Sequence, residues 1–183
     1  MLQSDPVNKA QPEENELWAM GVMERTVDAM RFRIDGLRPD VMQERPAGFS
    51  QSIADVISVL RRGEEDFNAV LRAAMKADKP SANTTFTTYP RAFVDSPFDE
   101  LGVFLKARER SLGVLRNMSQ KQWDSTISDP ERGQRTIEEL AVERARNDRQ
   151  QLDLLERMRG EILHGIRPAE RTIQGSKLPD STR

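Results

Sequence analysis

A chain of 183 residues suits one domain, and its 37% hydrophobic content is enough to build a core. The 28 Lys+Arg against 30 Asp+Glu leave a net charge of −2, which argues against a nucleic-acid partner, because that needs a basic face. The absence of cysteine removes thiol nucleophiles, disulfides and cysteine-ligated metals together. No apolar run approaches the ~18–20 residues of a membrane span, and Met1–Asn15 lacks the apolar stretch of a secretory signal. The expectation is a cytoplasmic protein with neither a nucleic-acid nor a membrane partner.

Residues 1–14 hold little to bury and read as a flexible tail. A first helix is predicted from about Glu14 to Leu37, with Leu17, Met20, Val27, Met30 and Ile34 as its inward stripe. Trp18, Met23 and Phe32 broaden that stripe, and Gly36 with Arg38-Pro39 ends the helix. Val41–Ser50 reads as a connection, with Phe49 placed as a plug between helices. Ser50 or Ser52 caps a second helix, with Asp55 in its first turn. Its stripe is Ile53, Val56, Ile57, Leu60, Phe67, Val70, Leu71 and Ala74, interrupted near the middle by Gly63 and Glu64.

Residues 78–97 break the helical pattern with Pro80, Pro90 and Pro97 around a threonine-rich run. Two readings stay open there: a lid over the bundle end, or a plain crossover. Ser96-Pro97 opens a third helix carried by Leu101, Phe104, Leu105, Leu112 and Leu115. Asn117–Arg135 reads as a turn-rich connection pinned by Trp123. Thr136 and Glu139 form a capping box for a fourth helix reaching Leu163. Residues 165–183 read as a peripheral arm, which leaves the bundle proper at 15–164. Four amphipathic segments without periodic strands predict an all-α four-helix bundle with long crossover connections.

The fourth helix carries the strongest functional hint. Its apolar stripe begins at Ile137, Leu140 and Ala141 and resumes at Leu152, Leu155, Met158 and Ile162. Between them, Glu143–Gln151 is almost wholly polar, and Asn147 and Gln151 stand four apart on one face. Neutral carboxamides are poor ligands for zinc or nickel. His164 is the sole histidine, which excludes a histidine-rich metal centre. At a predicted helix end before Gly165, it reads as a C-terminal cap rather than a catalytic group.

Three segments carry a family resemblance: Phe49–Leu60, Arg135–Leu140 and Arg146–Leu152. They resemble, in order and spacing, the opening of helix two, the start of the last core helix and the x-His-Asp-x-x-His-x motif of the DinB-like, YfiT-like bundles. The resemblance covers roughly residues 15 to 163. It implies that fold, with a divalent metal held by one histidine on helix two and two on the last core helix. In some members the metal serves thiol transfer, or isomerisation with a thiol cofactor. The matching positions here are Val59, Asn147 and Gln151, none of them histidine. The expectation is therefore a chain with no metal and no cofactor. It is read as non-catalytic, with a polar pocket between helices for a small-molecule ligand. Val59, Asn147 and Gln151 mark the former metal positions, and Glu64, Arg144 and Asp148 are the candidate polar groups of the pocket.

The carboxylates Glu143, Asp148, Glu64 and Asp55 share their helices with Arg144, Arg146, Arg149, Arg61 and Arg62, so arginine–carboxylate pairing is favoured over a rebuilt metal site. The alternative is a divergent thiol-dependent transferase, isomerase or hydrolase-like enzyme using a carboxylate base or such a rebuilt site. A homodimer packed through the first helix, rich in Met20, Met23, Met30, Phe32 and Trp18, is a third reading.

Overall fold

The structure, a computed structural model, describes residues 14–76, 96–129 and 133–165. Its elements are α1 (Glu14–Ile34), α2 (Pro39–Gln43), α3 (Ile53–Lys76), α4 (Pro97–Leu115), α5 (Gln120–Trp123), β1 (Thr126–Asp129), β2 (Gly133–Thr136) and α6 (Ile137–Gly165). The four long helices are the bundle, with α1 packed on α6 and α3 on α4. No helix among the described residues is long and apolar enough to cross a membrane. The N-terminal tail, the arm beyond Gly165 and almost all of the 78–97 connection, including its reading as a lid, lie outside the described residues.

The caps follow from the local sequence. Ser52, not Ser50, caps α3: its backbone N–H donates to Asp55 Oδ2 at 2.8 Å, and the Asp55 N–H donates to Ser52 Oγ at 3.1 Å. Ser96 accepts from the Asp99 N–H ahead of Pro97. Thr136 and Glu139 exchange the reciprocal pair at the start of α6, at 2.9 and 3.1 Å. The Ser52 backbone and hydroxyl hold the Asp55 carboxyl below its ordinary range. A depressed carboxylate stabilises the fold above the unfolded-state value and loses that contribution as pH falls through the folded value. Asp55→Asn should therefore lower the urea midpoint at pH 6, and the gap to wild type should narrow progressively as pH falls below about 4. A gap that stays constant as pH falls would show that charge is not its origin.

Two segments read as connections contain regular structure. After Arg38, Pro39 at the first helical position and Asp40 in the first turn start α2, whose Met42 is fully buried. The second is the stretch read as turn-rich: α5 drives Trp123 into the core, and β1 pairs antiparallel with β2 from Thr126↔Thr136 to Asp129↔Gly133. The strands are four residues each, too short and too polar for alternation to register, and Gly133 supplies a φ of +80° at the start of β2. Ile127 is the strand residue that reaches the core.

The stripe of α1 also differs from the expected one. Leu17 is 55% and Phe32 68% exposed, while Ala19, Met23, Thr26, Met30 and Ile34 face inward. Phe32 lies under the Arg159 guanidinium of α6, 5.6 Å from ring centroid to Cζ, so its ring is a surface contact rather than core.

The core falls into two apolar clusters along the bundle axis. One joins Met23 of α1, Phe67 and Leu71 of α3, Leu112 and Leu115 of α4, and Ile137, Ala141 and Ala145 of α6. The other joins Met30 and Ile34, Ile53–Leu60, Leu101 and Phe104, and Leu155 and Met158 of the same four helices. Early α3 thus packs with late α6, and the two run antiparallel. Between the clusters every long helix places a buried polar side chain: Thr26 on α1, Glu64 on α3, Arg108 and Ser111 on α4, and Asp148 on α6, all fully buried. The bundle has a polar waist.

Candidate functional site

The waist is built around Arg108. Its Nη1 donates to the Met23 carbonyl at 3.1 Å and pairs closely with Asp148 Oδ2, and its Nη2 reaches Asp148 Oδ1 at 3.1 Å. The same Nη2 lies 2.7 Å from Glu64 Oε2. One guanidinium therefore bridges carboxylates from two helices, a fork that a lysine point charge could not reproduce. Its Cζ stands 5.0 Å from the Phe104 ring centroid, so the cation also has an aromatic face against it. Ser111 Oγ donates to Glu64 Oε1 at 2.5 Å. Glu64 Oε2 has no well-aligned hydrogen bond, but it is not isolated, because charge holds it between Arg108 and Arg144 Nε, the latter at 3.3 Å.

Arg144 closes the cluster from α6. Its Nη2 donates to the Leu60 carbonyl at 2.8 Å and lies 3.4 Å from Asp148 Oδ1. That reach explains Gly63. A Cβ at position 63 would fall 2.0 Å from Arg144 Nη1, so the glycine is the gap through which the guanidinium enters α3. The four charges balance, two carboxylates against two guanidiniums, but the arginines are held differently. Burial opposes the charge on Arg108, yet Glu64 and Asp148 together overcome it and hold its pKa above the ordinary value. Burial dominates at Arg144 and lowers its pKa, with the like charge of Arg108 adding to the effect.

Beside the waist an open cleft of about 590 Å³ separates α3 from α6. Phe67, Val70 and Leu140 give it an apolar floor; Asp66 and Gly63 stand on the α3 side, and Arg146, Asn147 and Gln150 on the α6 side. Arg144 lines this cleft and belongs to the waist as well, so it is the physical link between the two. Arg135 reaches across the mouth to pair with Glu143.

The structure thus separates the residues singled out in the sequence. Glu64, Arg144 and Asp148 meet in the waist, and Arg108, which the sequence reading missed, holds them together. Its only signal was an arginine on the inward stripe of the third helix, between Phe104-Leu105 and Leu112. Asn147 is half-buried on the cleft wall, whereas Val59 and Gln151 are half-buried and do not line it. The inward polar positions of α6 are Arg144 and Asp148 rather than Asn147. Gln151 keeps to the inner side, with its Oε1 enclosed and without a hydrogen-bond partner among the described residues. Arg61 pairs with Glu65 and Glu100, Asp55 is spent on the α3 cap, and His164 is exposed, its Nδ1 2.6 Å from the Gly160 carbonyl within the last turn of α6.

These residues do not fit a divalent metal. Val59 has no donor atom, and the two buried carboxylates that could ligate are already enclosed by guanidinium groups of opposite charge. Among the described residues no three His, Cys, Asp or Glu side chains are grouped as metal ligands.

Comparison with known proteins places the fold. No curated protein matches the sequence. The solved structure of YfiT from Bacillus subtilis, described as a probable metal-dependent hydrolase with an unusual four-helix bundle topology, superposes with a TM-score of 0.62. The match covers 86% of this chain and 94% of YfiT at 12% identity, so the likeness is one of fold. The family model of the DinB superfamily matches residues 23–155, a span that holds α1 from Met23, the whole waist and both walls of the cleft. The chain belongs to the DinB superfamily, on a four-helix bundle like that of YfiT.

Proposed function

We propose that this protein is a metal-independent, non-catalytic member of its superfamily that binds a small molecule in the cleft between α3 and α6. The observation that carries this reading is an apolar floor of Phe67, Val70 and Leu140 beside polar groups with no other side-chain engagement among the described residues, Asn147 and Gln150 among them. Pockets between facing helices of a bundle, mostly apolar with a few convergent polar groups, are the usual form of such sites. The catalytic alternative needs a carboxylate in reach of a bound molecule. Glu64 and Asp148 are sealed in the waist and do not line the cleft, and Glu143 is engaged by Arg135. The activity described for YfiT is not part of this reading, because Val59, Asn147 and Gln151 replace the histidines that the family resemblance would require.

Thermal denaturation against a panel of neutral, anionic, cationic and zwitterionic small molecules tests it. A ligand at a hundredfold excess over its Kd adds about 2.7 kcal/mol, a rise of roughly 5–11 °C for a chain of this size. Asn147→Leu should remove most of that rise while leaving the unliganded protein as stable as before or slightly more so. A ligand whose effect survives Asn147→Leu and Leu140→Trp unchanged binds elsewhere, and the reading fails.

A further inference from the structure

The polar groups of the cleft divide into committed and uncommitted ones. Arg135 is neutralised by Glu143, and Arg144 is held by the waist. Asp66 on α3 and Arg146 on α6 are both exposed and line the same cleft. Neither has an ion pair or side-chain hydrogen bond among the described residues, with each other or with any other group. Among the described residues the cleft therefore offers a free acid on its α3 wall and a free base on its α6 wall, and the buried Phe67 and Val70 line the same cleft. A phosphate dianion drawn to Arg146 would leave Asp66 unpaired on the facing wall, and a simple cation drawn to Asp66 would leave Arg146 unpaired. A molecule with both charges satisfies both walls.

Resting on the cleft's role as a binding site, we infer that its ligand is a zwitterion with an apolar body, of the hydrophobic dipeptide class. The ammonium group pairs with Asp66, and the carboxylate pairs with Arg146, beside the Asn147 amide. Asp66 and Arg146 do not pair with each other across the cleft, and a dipeptide bridges such a gap more readily than a single amino acid, because each extended residue adds ~3.3–3.6 Å between terminal charges. Apolar side chains of the dipeptide cover the floor.

Titration calorimetry on the full chain tests this with four probes: leucyl-leucine, its N-acetyl form, its C-terminal amide and inorganic phosphate. Leucyl-leucine is expected to bind, and each capped form to bind at least tenfold more weakly. Asp66→Asn should erase the penalty for N-acetylation but keep the penalty for amidation; Arg146→Gln should do the converse. Both side chains are exposed, so circular dichroism should show the fold unchanged in each variant. Capped forms that bind as tightly as leucyl-leucine overturn the inference, as does phosphate binding without dipeptide binding. Either result, if still abolished by Asn147→Leu, leaves the cleft standing as a binding site for another class. Binding of no compound, here or in the thermal panel, defeats both.

Discussion

Arg108→Met is expected to lower stability by about 3–5 kcal/mol, because it leaves two fully buried carboxylates with only Arg144 between them. That is a large share of the roughly 5–15 kcal/mol that holds a domain together, so the variant should unfold at far lower urea or purify only partly folded. Arg108→Lys retains a charge but not the fork that reaches Asp148 and Glu64 at once, and should fall between wild type and methionine. The informative partner is the fully apolar replacement, Glu64→Leu, Arg108→Met, Arg144→Met and Asp148→Leu together. Removing a whole buried ion cluster is often neutral or stabilising by roughly 1–4 kcal/mol, since the desolvation of four charges goes with it. The expected pattern is a severe single variant beside a tolerated quadruple one. A quadruple variant as unstable as Arg108→Met would mean that the waist is a net source of stability rather than a device that fixes which helix faces meet.

The second large effect is expected at Gly63. Alanine is the better helix former by roughly 1 kcal/mol, so an ordinary mid-helix glycine would gain from Gly63→Ala. Here the new Cβ would collide with Arg144 Nη1, and the guanidinium cannot swing away without leaving the Leu60 carbonyl and Asp148. Overpacking of this kind costs about 1–3 kcal/mol, so once the propensity gain is set against it a net loss of up to about 2 kcal/mol is expected by urea denaturation. In an Arg144→Ala background the obstacle is gone, and Gly63→Ala should turn stabilising. That reversal of sign ties the glycine to the arginine and not to helix propensity. Equal effects in both backgrounds would sever the connection.

The waist shows why part of the site was legible in the sequence and part was not. Gly63-Glu64 announced itself by breaking an otherwise clean apolar stripe, and the Glu143–Gln151 stretch did the same on the last helix. Helical periodicity resolves such a break to within a turn, but not to one side chain. Asn147 stood out as half of an i, i+4 amide pair, yet the helix turns Asp148 into the core and leaves Asn147 on the cleft wall. Arg108 stayed hidden because an arginine among Lys106, Arg110 and Glu109 reads as part of a solvated face. Its place on the Phe104–Leu112 stripe was the one sign against that reading, and the packing of α4 against α1, α3 and α6 shows the side chain fully buried. The hairpin of β1 and β2 was hidden for a different reason: its pairing is held by backbone hydrogen bonds and one buried residue, Ile127, and leaves almost no side-chain pattern to read. The bundle itself was legible because its four long stripes and their caps at Ser52, Ser96 and Thr136 are local features, set within a few residues of each other.

In the function proposed here, the arginine–carboxylate waist stands in this bundle in place of metal chemistry. Elemental analysis of untagged protein, before and after incubation with zinc, nickel and manganese and exhaustive dialysis, tests it most directly. The predicted result is far less than one metal per chain in every sample, with an unchanged melting temperature. One equivalent of any of these metals retained through dialysis would contradict the claim, because it would mean that carboxylates now closed by Arg108 and Arg144 can open to ligate a cation.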